Sequence, residues 1–144
     1  MQNRFRLLTA GGLYQDAGLL ALRITVASPL LIKHGLEKVL TFSAMAQHFP
    51  DPIHIGPVPS LVIAALADFV CTILLILGLA TRWAALFSLG NLFVAWAFVH
   101  NFTFFGEAGG HGELIVVYMG VMLTLALAGP GRYSVDFMLT KPQS

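Results

Sequence analysis

SLVIAALADFVCTILLILGLATR, residues 60–82, decides the fold. From Ser60 to Ala80 the only ionisable carboxylate is Asp68. At about 1.5 Å per residue a helix of this length crosses a ~30 Å hydrocarbon core. The stretch then runs into Gly78-Leu79-Ala80-Thr81-Arg82, a tight helix-to-helix turn in which Gly78 suits a C-terminal cap and Thr81 an N-cap. A second apolar helix therefore has to start at once and run back.

Further apolar stretches lie on either side. The pattern predicts an all-α integral membrane protein, a four-transmembrane-helix bundle in one domain over residues 1–144. Its helices cover approximately 18–40, 60–80, 83–104 and 112–129, with an outer loop at 41–59. In that loop Phe42, Met45, Ala46 and Phe49 have the spacing of a short interfacial helix. Pro50, Pro52, Pro57 and Pro59 stop helix formation and favour an extended, lid-like path. The segment Leu7 to Gly12 is too short and broken to serve as the core of a cleavable signal.

Composition points the same way. The chain is 57% apolar and 10% charged, against roughly a quarter charged in an ordinary soluble domain. A net charge of +1 leaves no basic stripe for nucleic acid. The single Cys71 excludes dithiol chemistry within the chain. Arg4, Arg6, Arg82, Arg132 and Lys141 fall on one side of the predicted bundle, and the opposite loops hold no Lys or Arg. The positive-inside rule places both termini in the cytoplasm.

Several ionisable residues sit where a membrane helix should have none. A charge near the bilayer centre costs on the order of 3 kcal/mol by insertion scales, so it needs a partner or a function. Arg23, His34, Glu37 and Lys38 share roughly an 80–100° arc of the first helix. Pro29, which removes a backbone hydrogen bond, kinks the helix between Arg23 and the other three. Asp68 lies at a depth similar to that of His34, His100 is near the outer end of the third helix, and Glu113 opens the fourth. With His111 these residues form a candidate outward-facing site lidded by the proline-rich loop. Such a cluster can be a charge-compensated network that only fixes helix register. It can also handle protons, a quinone head group or a metal ion. His beside carboxylate suits quinol oxidation, whose released protons need acceptors, and the same donors suit zinc or copper(II). His34-x-x-Glu37 alone does not define a metal site. Ser88, Asn91 and Ala95 form a small, polar packing stripe on the third helix.

Taken together these residues resemble the DoxX family of small four-helix membrane proteins. The resemblance rests on Leu22-Arg23, His34-Gly35-Leu36-Glu37-Lys38, Ala65-Leu66-Ala67-Asp68 and Leu77-Gly78-Leu79-Ala80-Thr81-Arg82. Gly110-His111-Gly112-Glu113-Leu114 and Gly129-Pro130-Gly131-Arg132-Tyr133-Ser134-Val135-Asp136 complete it. Asp68 stands where the family more often shows Glu, and Glu37 where Gln is frequent. The resemblance implies a multi-pass protein of a bacterial or archaeal cytoplasmic membrane, associated with membrane redox systems. It favours an accessory subunit with an oxidoreductase partner over a self-contained enzyme.

The expectation is a small membrane subunit of a quinone-linked oxidoreductase system. His34 and Asp68 would be the proton-exchanging, catalytic pair, and Arg23, Glu37, Lys38, His100, His111 and Glu113 would bind substrate. The cofactor is left open, with quinone as a candidate, and lipid forms the immediate surroundings. Small-residue helix faces also suit a homo-oligomer. The alternatives are an outward-facing binding or transport site for a metal ion or small solute, and a purely structural membrane anchor.

Overall fold

A computed structural model describes residues 11–104 and 112–140, and among them every regular element is helical. Backbone N–H and C=O groups have no water to bond to in hydrocarbon, so apolar segments of this length satisfy them internally by forming helices. Tyr14–Leu40, Pro57–Leu77 and Thr81–Val99 are each long and apolar enough to cross a membrane, and Gly112–Ala128 is a shorter apolar helix.

Helix α1 runs Gly11–Pro29, winds through a π-helical turn at Leu30–Gly35 and finishes as Leu36–Leu40. The π turn follows Pro29 directly, and the Leu36 N–H bonds to Leu31 O rather than to the usual i−4 carbonyl. The strap between the first two long helices contains the short helix α2, Phe42–Met45. Helix α3 comprises Pro57–Ala65, a π turn at Leu66–Cys71 and Thr72–Leu77. Helix α4 comprises Thr81–Val94 and a π turn at Ala95–Val99. Helix α5 is Gly112–Ala128, and helix α6 is Val135–Thr140.

Small residues let these helices approach. Ala84 and Ala85 of α4 pack with Ala27, Leu75, Met122 and Leu125 in the buried core. The face of α1 at Gly35 lies so close to α3 that an added Cβ would run into the Asp68 carbonyl. Large apolar side chains point outward, Trp83 at 77% and Leu40 at 78% exposure, the reverse of a soluble bundle and the arrangement that lipid contact requires.

Local expectations needed correction at three places. Pro57 and Pro59 do not keep the strap extended; they lie in the first turn of α3, where a missing N–H costs nothing. Helix α4 stops at Val99 instead of continuing to 104. Asn101 and Phe102 there adopt left-handed φ values of 47° and 56°, and Phe93, Phe102 and Phe104 pack edge-on around Trp96.

The third correction concerns the 78–81 turn. Gly78 is the left-handed cap, with φ 72°, but Thr81 caps nothing and its buried hydroxyl has no partner among the described residues. The cap comes from the distant Asp136. Its carboxylate accepts the Ala80 N–H at 2.8 Å and the Thr81 N–H at 3.0 Å. Arg23 belongs to this same end of the bundle. It is fully buried, and its guanidinium donates to Leu75 O at 3.4 Å and to Tyr133 O. An added Cβ at Gly78 would strike it.

Candidate functional site

His34, Glu37 and Lys38 follow the π turn of α1 or sit inside it, and Asp68 sits inside the π turn of α3. A π turn places one residue more than an α-helix would in the same rise, which re-aims the side chains around it; such turns recur at functional sites. Here the two π turns face each other at the closest approach of α1 and α3, beside Gly35.

The outcome is an ion pair in a largely apolar setting. Lys38 Nζ lies 2.8 Å from Asp68 Oδ2, with the two side chains only 12% and 11% exposed. The same ammonium reaches His34 O at 3.5 Å. The other carboxylate oxygen, Asp68 Oδ1, accepts from Asn91 Nδ2 at 3.4 Å. Two further hydroxyls fix the backbone around it. Thr72 Oγ1 donates to Asp68 O at 2.7 Å, and Ser88 Oγ donates to Ala67 O at 3.3 Å. Asp68 is therefore held from three helices.

A cavity of about 590 Å³ opens beside this pair, with His34, Glu37, Lys38, Asp68 and Asn91 among its lining. The rest of its wall is mainly apolar. Met45, Phe49 and Ile53 of the strap close one side, and Ile63 of α3 and Phe87 of α4 flank another. The strap is tied down by Asp51, which accepts from Ile55 N–H at 3.0 Å, Gly56 N–H at 2.8 Å and Ser60 Oγ at 2.8 Å. Partial burial opposes ionisation of Asp51. The bonds from Ser60, Gly56 and Ile55, with help from nearby His54, outweigh it and hold the carboxyl below its ordinary range.

The structure thus brings four of the anticipated residues together: His34, Glu37, Lys38 and Asp68. It does not bring in Arg23. Arg23 and His34 share an angular face but are eleven residues apart, about 16 Å along the helix axis, and Arg23 is spent on carbonyls at the opposite end. His100 lies beyond the end of α4, half-buried and outside the cavity wall. Glu113 is exposed in the first turn of α5, and α5 packs against α4. His111 lies outside the described residues.

Asn91 is the residue that the packing-stripe reading missed. Its signal was present in Ser88-x-x-Asn91, two polar groups one helical turn apart on the stripe facing α3. A side chain with both donor and acceptor is more than a packing device beside a carboxylate. Among the described residues, no three His, Cys, Asp or Glu side chains come together in a metal-ligand arrangement.

Fold and site together define a class: a small multi-pass membrane protein whose helices enclose an apolar cavity with an ion pair at its polar end. The DoxX family model matches residues 18–101, and the chain belongs to that family. The matched region covers the helices that carry His34, Lys38, Asp68 and Asn91. An uncharacterized protein of Haemophilus influenzae is 35% identical over 127 residues, covering 85% of this chain and 91% of the relative. Inner membrane protein YqjF of Escherichia coli is 33% identical over 132 residues, covering 88% and 95%. No solved structure matches the chain significantly.

Proposed function

We propose that the protein is a small bacterial cytoplasmic-membrane subunit of a quinone-linked oxidoreductase system, and that the cavity beside Lys38 and Asp68 receives the quinone head group. The observation that carries this reading is the ion pair at the end of an otherwise apolar cavity of about 590 Å³. That size and polarity suit an amphipathic molecule of drug-like dimensions, with a few placed polar groups to orient it.

The residues present fit such a ring. A quinone supplies two-electron redox chemistry in which two protons accompany the electrons. Its carbonyl oxygens need donors; Lys38 and Asn91 line the cavity, and each carries more N–H groups than the one it gives to Asp68. Asp68 and His34, with Glu37, line the cavity and are groups able to hold or pass a proton there. Met45, Phe49 and Ile53 of the strap put apolar side chains over that side of the cavity. Arg82 and Arg132 share the opposite end of the bundle, so by the positive-inside rule that end is cytoplasmic and the strap faces outward. Family association with membrane oxidoreductases supports an accessory subunit acting with a partner that holds the redox centre.

The test is quinone content after purification in mild detergent. Wild-type protein is expected to carry near-stoichiometric quinone, and the paired variant Lys38→Met/Asp68→Asn, which leaves no lone buried charge, to carry less than about a tenth of it. Equal quinone in both, or none in the wild type, would overturn the assignment.

A further inference from the structure

The head-group site has a second side that the strap does not cover. Ile63 of α3 and Leu86, Phe87 and Gly90 of α4 all line the cavity, and all four are exposed on the outer surface of the bundle. They lie within the segments long and apolar enough to span the membrane, so what they are exposed to is hydrocarbon. Gly90 is the midpoint residue of the Thr81–Val99 span, and a Cβ built there would meet nothing within 4 Å. A helix glycine is destabilising relative to alanine, and no close backbone approach requires one here, as one does at Gly35. Gly90 leaves open space on the cavity wall at mid-membrane depth. Toward the aqueous side the route is crossed by Phe49, Pro50 and Ile53 of the strap, latched through Asp51.

We infer that the cavity is loaded sideways from the lipid phase, through a gap between α3 and α4 whose threshold is Gly90, and that its ligand is a ring with a long apolar tail lying across Gly90. This rests on the head-group reading above and adds to it a route and a tail subsite. The polar head meets Lys38, Asp68 and Asn91, while the tail passes Phe87 and Ile63 into the bilayer without leaving hydrocarbon. A water-soluble ligand entering from the strap side would have no use for an opening at that depth.

The experiment compares two probes on the full-length protein in lipid nanodiscs: a benzoquinone with a decyl tail, and the same ring without the tail. With affinities referred to free probe in the aqueous phase, wild type is expected to prefer the tailed ring by at least about tenfold, the contribution of moving two methylenes of the tail from water into hydrocarbon. Gly90→Leu fills the threshold and is expected to reduce that preference about tenfold. Ile63→Trp, reaching from the opposite rim, should do the same and provides a second variant if the first folds poorly. Equal affinity of wild type for both probes, or an unchanged preference in both variants, overturns lateral loading while leaving the head-group site intact. Failure of the wild type to bind either ring overturns both readings together.

Discussion

Among the described residues, two side-chain groups bond the Asp68 carboxylate, the ammonium of Lys38 and the amide of Asn91. Removing one member of a buried ion pair costs more than the pair contributes, because the other charge is left without compensation. Lys38→Met is accordingly expected to lower stability by about 3 kcal/mol, whereas Lys38→Met/Asp68→Asn should recover most of the loss. Reversible unfolding in mixed micelles measures both; a double variant no more stable than the single one would show that the pair is not the main constraint on Asp68. Asp51 makes the complementary case outside the spans. Its folded-state pKa lies below the ordinary carboxylate value, so its contribution is complete above that ordinary pKa and is lost as pH falls through the folded value. Protection of the Ile55 and Gly56 amides against hydrogen exchange should disappear in that acidic window. In Asp51→Asn it should already be reduced at neutral pH. Protection that is independent of both pH and this substitution would show that the strap is held by other contacts.

At the scale of elements, the π turns of α1 and α3 meet where Gly35 permits contact with the Asp68 carbonyl. Gly35→Ala must push the two helices apart, and overpacking of this kind costs about 2 kcal/mol. The Lys38–Asp68 pair should loosen with it, so the variant is expected to lose quinone as well as stability. Normal quinone content in a destabilised Gly35→Ala protein would separate helix approach from ligand binding. The hydrophobic runs made the long helices legible in the sequence, because length and apolarity alone determine them. The π turns were not legible: one additional residue in a turn changes no hydropathy pattern, yet it changes which side chains face inward. The same blindness put Arg23 in the wrong place. Its angle on a helical wheel agreed with that of His34, while the axial separation, which the wheel ignores, put the two at opposite ends of the bundle. Asn91 went unrecognised for a related reason, since a polar residue in a small-residue stripe looks like packing until a carboxylate is known to face it. Thr81 followed the local capping rule, and the rule lost to Asp136, a partner fifty-five residues away that no local window contains.

The whole molecule holds two separate clusters of hydrogen-bonded polar residues. At one end Arg23, Gly78 and Asp136 join α1, the 78–81 turn and the C-terminal helix by hydrogen bonds to backbone. Nearer the strap Lys38, Asp68 and Asn91 border the cavity. Asp68 and Gly78 are separated by ten residues of α3, about 15 Å of helix, with the apolar core between. Sites that far apart with no shared partners should contribute independently. Asp136→Ala removes a helix cap and is expected to cost about 1 kcal/mol with no change in quinone affinity. Combined with Lys38→Met it should give a loss equal to the sum of the two within about 0.5 kcal/mol. Arg23→Lys, which keeps the charge but not the fork reaching Leu75 and Tyr133, should likewise lower stability while leaving ligand affinity within twofold. A matching fall in affinity for either variant, or a coupling energy well above about 0.5 kcal/mol, would mean that the two clusters communicate through α3 and that the segment around Tyr133 and Asp136 does more than hold the bundle together.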